Sequence, residues 1–377
     1  MIKIACVVGA RPQFIKHLPV HKAFLSESEN IKEILIHTGQ HYDYLMNKVF
    51  FDELGIPEPD YNLGVGSGTH GYQTGEIIKR VEKVLEIEQP DAVIVYGDTN
   101  STLGGALAAV KMDIPVIHVE AGLRSFNKLM PEEINRVLTD HSSAVLLCPT
   151  KNAVENLKRE GFTQIVNDGN LLKLNEEISY TVNSSKPLVV NVGDVMYDVL
   201  LYSLSISSQK SKIVKELGLE HKGYNLLTLH RAENTKSSLK LMELIDFVET
   251  VTGKTPVIFP VHPRTKKIFH SNSINIPQII RMIEPLGYLD MLELTRNCNL
   301  VFTDSGGLQK EAYWLKVPCI TLRDETEWIE TVQSGWNVLY KDYKVPHNPY
   351  TYSNDLYGDG RASERIVNIL IQVIKEN

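Results

Sequence analysis

Cysteine is scarce. Only Cys6, Cys148, Cys298 and Cys319 occur in 377 residues, and no two stand at CxxC spacing. This excludes a zinc ribbon and argues against a disulfide framework, so a reducing, cytoplasmic setting is expected. No apolar run approaches the roughly 18–20 residues needed to span a bilayer. Residues 1–10 are apolar but carry no basic segment ahead of them, and Arg11-Pro12 follows at once, so no signal peptide is read there. Positive charge is not in excess either. Lys plus Arg total 39 against 46 Asp plus Glu, a formal charge of −7, which argues against nonspecific binding of nucleic acid or anionic membrane. Missing too are GxxxxGK[ST], HExxH, GxSxG and any cluster that spacing marks as a metal site. Gly66-Ser67-Gly68-Thr69-His70-Gly71 fits GxGxxG formally, but the preceding 57–62 stretch is polar and proline-rich, so no dinucleotide fingerprint is read there.

What is present is the composition of a globular protein, 43% hydrophobic and 23% charged, long enough for two domains. Short β-branched runs recur at 2–8, 33–37, 92–96, 116–119, 145–148, 188–192, 226–229, 257–261, 300–303 and 318–321. Several are continuously apolar, as strands buried on both faces of a parallel sheet are. Helical periodicity lies between them, for example over 75–87, 102–111, 132–143 and 239–252. Strand and helix alternating along the chain predict an α/β fold with two doubly wound parallel sheets. The aperiodic stretch 167–186 reads as a surface excursion, with a domain boundary soon after Asn191–Asp194. An amphipathic helix closes the chain over 362–376.

Open α/β sheets bind ligands beyond the carboxyl ends of their strands. The first strand runs into Gly9-Ala10-Arg11-Pro12, where a helix N-terminus with Arg11 and Lys16 suits an anion. The strand ending at Tyr96 leads into Gly97-Asp98-Thr99-Asn100-Ser101-Thr102, which also reads as a helix cap. His118-Val119-Glu120 places a carboxylate directly after a buried run, with Arg124 as an available partner. Glu132 and Glu133 open the next helix, where the helix dipole alone would favour them. Convergence of Asp98, Glu120 and Glu132 at one sheet edge would supply an acid and a base. In the second half, His230-Arg231 and His262-Pro263-Arg264 follow strands. Thr303-Asp304-Ser305-Gly306-Gly307 forms a strand–turn–helix junction suited to a diphosphate, and Glu311, further along that helix, is placed to accept from a ribose diol.

Taken together, segments 9–16, 39–41, 97–102, 118–124, 131–141, 229–231, 260–262, 284–286 and 303–312 resemble, in order, the non-hydrolysing UDP-N-acetylglucosamine 2-epimerases. The resemblance implies the GT-B arrangement: two Rossmann-like domains, 1–195 and 196–360, with the C-terminal helix 361–377 returning to the first and an active-site cleft between them. It implies Asp98, Glu120 and Glu132 as catalytic carboxylates, with His230 beside them. Arg11, Lys16, Arg136, Arg231, Ser305, Gly306, Gly307 and Glu311 are implied to bind a UDP-sugar, with no cofactor and no metal. The implied reaction is anti-elimination of UDP to a 2-acetamidoglucal followed by readdition, in a cytoplasmic homodimer that supplies precursors of cell-surface polysaccharide. Two departures stand out. The usual Arg-Gln-Thr, which helps bind a second, activating UDP-N-acetylglucosamine, reads Tyr72-Gln73-Thr74, although Gln40, His41 and His262 remain. Ser125-Phe126-Asn127 and the 323–328 segment look like the branch that includes the UDP-2,3-diacetamido-2,3-dideoxyglucuronate 2-epimerases. Two other readings are weighed against the epimerase: a glycosyltransferase, which shares the fold but needs an acceptor site, and a nucleotide-sugar sensor without catalysis.

Overall fold

The computed structural model describes residues 1–40, 55, 57–180, 182, 186–235, 237–272, 274–344 and 356–375. His41 and the whole 345–355 stretch therefore lie outside the described residues. The chain divides into two compact units, Met1–Leu201 with Asn354–Asn377, and Tyr202–Ser353.

In the first unit, strands β1 (Ile2–Val8), β2 (Ile31–His37), β3 (Tyr61–Asn62), β4 (Ala92–Tyr96), β5 (Val116–Val119), β6 (Val145–Cys148), β7 (Gln164–Ile165) and β8 (Leu188–Asn191) form one sheet. Its order is β3-β2-β1-β4-β5-β6-β8-β7, and every pairing is parallel. The connecting helices are α1 (Arg11–Ser26), α2 (His70–Glu88), α3 (Asn100–Lys111), α4 (Pro131–Ser142) and α5 (Lys151–Arg159). Helix α6 (Val195–Lys210) spans the point at which the chain passes from one unit to the other. β4, β5, β6 and β8 are buried at every position, which is why their sequences run apolar rather than alternate.

In the second unit, β9 (Asn225–Thr228), β10 (Val257–Pro260), β11 (Ile280–Ile283), β12 (Val301–Thr303), β13 (Cys319–Thr321) and β14 (Asn337–Leu339) form the second sheet. It runs β11-β10-β9-β12-β13-β14, again wholly parallel. The helices here are α7 (Ile213–Glu216), α8 (Ala232–Thr235), α9 (Ser238–Thr252), α10 (Pro263–Ser271), α11 (Tyr288–Asn297), α12 (Gly306–Trp314) and α13 (Ile329–Gln333). The direction of growth switches between β1 and β4 in the first sheet and between β9 and β12 in the second; in the first, β8 also steps back between β6 and β7. Those switch points open a crevice beyond the strand ends.

The 167–186 stretch departs from its reading as a surface excursion. Within its described part Leu172, Ile178 and Tyr180 are buried, and the backbone is fastened to the last helix, α14 (Ala362–Lys375). Arg365 Nε donates to Leu172 O at 2.5 Å, Asn368 Nδ2 to Leu174 O at 3.1 Å, and Gln372 Oε1 accepts from Ile178 N at 2.7 Å. The segment is aperiodic because its work is to lie along a helix, not to form one. Asp198 caps the start of α14 by accepting from the amides of Ala362 and Ser363.

Beneath α1 lies a polar knot that the sequence reading passed over. His17 and His21 face opposite oxygens of Glu33, at 3.0 and 2.5 Å, and His17 Nδ1 meets Tyr96 Oη at 3.0 Å. Burial works against the Glu33 charge, but the two histidines outweigh it and draw its pKa down to about 2. A carboxylate with a folded pKa near 2 and an ordinary value of 4.5 stabilises the fold above pH 4.5, and that contribution is lost as pH falls through 2. Acid unfolding of the wild type should therefore lose on the order of 3 kcal/mol more than Glu33→Gln between those limits. Parallel denaturant titrations across that range check this; superimposable pH dependences would show that the histidines do not hold the charge.

Candidate functional site

The first switch point is built by close approach. A Cβ on Gly9 would come within 2.1 Å of both Ser101 Oγ and Thr38 Oγ1, so the end of β1 fits against its neighbours only as glycine. Gln13, fully buried in the first turn of α1, then locks two strand ends together. Its Oε1 accepts from the amides of Gly9 and Ala10 at 2.9 and 3.0 Å, while its Nε2 donates to Tyr96 O and Thr102 Oγ1. The expected helix cap at 97–102 is Thr99, which accepts from Thr102 N at 3.3 Å, and this leaves the Asp98 carboxylate for other work.

Asp98 pairs with Arg136 Nη2, and its carbonyl accepts from Asn135 Nδ2 at 3.0 Å. Arg136 also reaches Glu133 at 3.1 Å. Burial opposes the Arg136 charge, yet Asp98 first, then Glu133 and Glu120, hold it above its usual range. Glu120 sits at φ +73, a left-handed conformation that costs a residue with a Cβ, and it pairs with Lys16 Nζ at 2.6 Å. Burial of Lys16 likewise opposes its charge, but Glu120 and then Asp98 outweigh it, so the ammonium is held above the ordinary lysine range. Gly97, at φ +64, leaves room for this pair: its Cβ would stand 3.1 Å from Lys16 Nζ and 3.6 Å from Glu120 Oε1. Asp98 and Glu120 are thus brought together around two cations.

The expected pairing of Glu120 with Arg124 is not formed. Arg124 turns away and donates to Asp140 at 2.7 Å and to Glu160 at 2.7 and 2.8 Å. The two acids opening α4 also differ in use. Glu133 is buried and accepts from the amides of Ser125 and Phe126, both at 2.9 Å, so it fastens the loop that follows β5. Glu132 is exposed and forms no hydrogen bond or ion pair among the described residues. It lies one helical turn before Arg136 and so on the same face. Arg11 stands half-buried at the start of α1. Gln73 is buried and braces the site from behind, accepting from Asn100 Nδ2 at 2.7 Å, and Gln40 accepts from both Ser101 N and Ser101 Oγ.

At the second switch point, Asp304 is wholly buried at the end of β12. It accepts from the amides of His230 and Arg231 at 3.0 and 2.9 Å and from Asn234 Nδ2 at 3.2 Å, and it faces His230 Nδ1 at 3.1 Å. Burial works against its charge, but His230 first and these amides hold the carboxyl below its ordinary range. The His230 side chain is about half exposed, at 49%. Ser305 caps α12, accepting from Leu308 N at 3.5 Å. Gly306 is buried, with a hypothetical Cβ only 2.6 Å from Glu327 Oε1, whereas Gly307 is exposed and open. Glu311 lies in the second turn of α12, half-buried. Arg231 Nη2 reaches Glu327 at 3.6 Å, and Arg323, nearly buried, binds the same carboxylate at 2.8 Å. An exposed helix N-terminus bordered by His230 and Arg231 is suited to an anion.

The family described as UDP-N-acetylglucosamine 2-epimerase matches residues 23–371. The chain belongs to this family. Among its relatives, a UDP-N-acetylglucosamine 2-epimerase homolog of Methanococcus maripaludis is 49% identical, covering 98% of this chain and 99% of that one. The UDP-2,3-diacetamido-2,3-dideoxy-D-glucuronate 2-epimerase of Pseudomonas aeruginosa is 43% identical over 99% of this chain and 100% of that protein. The crystal structure of the Methanocaldococcus jannaschii UDP-GlcNAc 2-epimerase in complex with UDP-GlcNAc and UDP superposes with a TM-score of 0.80, at 42% identity, covering 98% of this chain and 99% of that one. The two parallel α/β units of this epimerase-family chain are therefore of the GT-B kind.

Sequence reasoning missed Asp304, Gln13, Asp140 and Arg323. All four are buried polar residues, three of them next to a strand end or helix start and Asp140 near the end of α4, and burial is the reason they carry partners. The Lys16–Glu120 pair has side chains only 12% and 9% exposed, well below an ordinary surface pair. A double-mutant cycle with Lys16→Met and Glu120→Gln should give a coupling energy of roughly 2–3 kcal/mol in denaturant unfolding, above the ~1 kcal/mol ceiling of exposed pairs. A coupling below about 0.5 kcal/mol would mean that the pair is loosely held.

Proposed function

We propose that this chain interconverts UDP-N-acetylglucosamine and UDP-N-acetylmannosamine. The observation that carries the reading is the meeting of Asp98 and Glu120 around Lys16 and Arg136 at the first switch point, in a chain of the 2-epimerase family. A base removes the C2 proton while the C1–oxygen bond to UDP breaks, which leaves a 2-acetamidoglucal. UDP then adds back at C1, and an acid returns a proton to the opposite face of C2. The C2 proton is weakly acidic, so both steps need positioned groups, and Asp98, Glu120 and Glu132 with His230 are the proposed set. Arg11, Lys16 and Arg136 in the first unit are assigned to substrate. The diphosphate goes to Arg231, Ser305, Gly306 and Gly307, and the ribose to Glu311, where the amide-rich start of α12 offsets the leaving charge. Elimination and readdition need no redox cofactor. A second substrate, UDP-2,3-diacetamido-2,3-dideoxyglucuronate, is supported by the Pseudomonas relative, which matches over its whole length.

Four reduced, buried cysteines suit a cytoplasmic protein. We assign it to the supply of precursors for cell-surface polysaccharide. A homodimer is supported by apolar side chains left in solvent on the β5–α4 loop and α4: Phe126, Leu129, Ile134 and Leu138, between 47% and 92% exposed. Ile134→Asp should convert the dimer to monomer in analytical ultracentrifugation; an unchanged mass would place the interface elsewhere.

In D2O, proton NMR of the wild type with UDP-N-acetylglucosamine should show loss of the C2 proton and growth of a second UDP-sugar. If only the diacetamido uronate exchanges, the second substrate is the right one. If neither does, the protein is not a 2-epimerase. Asp98→Asn should lower turnover about a hundredfold or more with UDP affinity kept, whereas Ser305→Ala should raise KM roughly tenfold. Equal loss of UDP affinity in both would contradict this division of roles.

A further inference from the structure

Below the Asp98–Glu120 site lies a second set of charges that the reaction does not use directly. His118 and Asp140 are both fully buried, and the Arg124 side chain is 1% exposed. His118 Nδ1 meets Asp140 Oδ1 at 2.6 Å, and its Nε2 meets the carbonyl oxygen of Gly97 at 2.7 Å. The other oxygen of Asp140 accepts from Gly122 N at 3.1 Å and from Arg124 Nη1 at 2.7 Å. Arg124 continues to Glu160, which also meets His141 at 3.1 Å. The buried Cys148 thiol completes the surroundings, pushed well above its ordinary range by burial and then by Asp140.

A carbonyl oxygen can only accept, so His118 Nε2 carries a proton. Asp140 is held below the ordinary carboxyl range because His118 and Arg124 outweigh the cost of its burial. His118 is thus clamped between the Gly97 carbonyl and Asp140. Gly97 immediately precedes Asp98, and Gly122 follows Glu120 by two residues. Both glycines hold left-handed backbone, at φ +64 and +79, and a Cβ on Gly122 would fall 2.4 Å from Ala153 O. These are two turns that need external ties, and one aspartate reaches both.

We propose that Asp140 is a positioning residue that fixes both site carboxylates, holding the Asp98 turn through His118 and the Glu120 turn through the Gly122 amide. This rests on the reading of Asp98 and Glu120 as the groups that handle the C2 proton. Asp140 touches neither substrate nor the reacting atoms; it sets where the two turns stand. A misplacement of about 1 Å at a reacting group can cost about a hundredfold in rate, so the role has a measurable size.

Asp140→Ala should lower turnover in the D2O exchange assay by roughly a hundredfold, while the UDP dissociation constant by calorimetry stays within about threefold of wild type. Turnover within threefold of wild type overturns the proposal. Turnover and UDP affinity falling together overturn it too, because that pattern marks general unfolding. Should Asp140→Ala not fold, Asp140→Asn carries the same test with a smaller loss, about tenfold, since its oxygen still accepts from Gly122 and Arg124. Nitrogen-15 NMR of wild-type His118 is independent of any variant: Nε2 should carry the proton that faces the Gly97 carbonyl, and a bare Nε2 overturns the clamp. Absence of C2 exchange in the wild type with either UDP-sugar would remove the functional reading and the positioning role with it. The His118 spectrum would still decide the network.

Discussion

The reversal of strand order is the constraint from which the rest follows. In a parallel sheet each strand is followed by a helix that must cover one face, and where the growth direction switches, two successive helices depart to opposite faces. The gap this leaves lies beyond the carboxyl ends of β1 and β4 in one unit and of β9 and β12 in the other. Asp98 follows β4, Asp304 and Ser305 follow β12, His230 and Arg231 follow β9, and Arg11 opens the helix after β1. Apolar strands make the sheet and deliver polar residues only at their tips. The tips are crowded, and only Gly9 permits the approach of Thr38 and Ser101.

Crowded tips force charge pairing. An isolated ion in such a place is costly, and each one here has an opposite: Lys16 with Glu120, Arg136 with Asp98 and Glu133, Arg124 with Asp140 and Glu160. These pairs are not strong arguments for stability, since well-packed apolar residues often serve as well. Their value is geometric. Glu133 fastens the loop after β5, and Arg136, three residues on, reaches from the same helix to Asp98. The conformation that Glu120 adopts at φ +73 is costly and persists because the surrounding ties over-determine it.

How far this was legible from sequence depends on range. Continuous apolar runs marked the buried strands, and polar residues directly after them marked Asp98, Glu120, His230 and Ser305. The short edge strands were not legible: β3 and β7 have two residues each, β11 carries Arg281 and β14 begins with Asn337, so none shows a buried run. Pairings were legible only when local. Arg124 looked like the partner of Glu120 because it lies four residues away, but the true partner, Lys16, is 104 residues distant, and Arg124 goes 16 and 36 residues on to Asp140 and Glu160. Sequence proximity predicts contact along a helix, where the backbone fixes spacing, but not across turns whose course is set by tertiary packing. The stretch after β7 failed in the same way, because a segment shaped by the helix it holds has no period of its own.

The same six-strand order occurs in both sheets, yet the two switch points are furnished differently. At the first, two carboxylates stand beside two cations, an arrangement able to take and return a proton. At the second, Asp304 spends its oxygens on the amides of His230 and Arg231 and on His230 Nδ1, so the imidazole is held by its inner nitrogen while half of its surface stays in water. Next to it Ser305 caps a helix whose next exposed residue, Gly307, has no side chain to stand in front of the amides. That end offers donors and positive dipole, with Asp304 buried behind the histidine and Glu327 held by Arg231 and Arg323. An anion is favoured there and a proton-transfer carboxylate is not, whereas the first site has the reverse character.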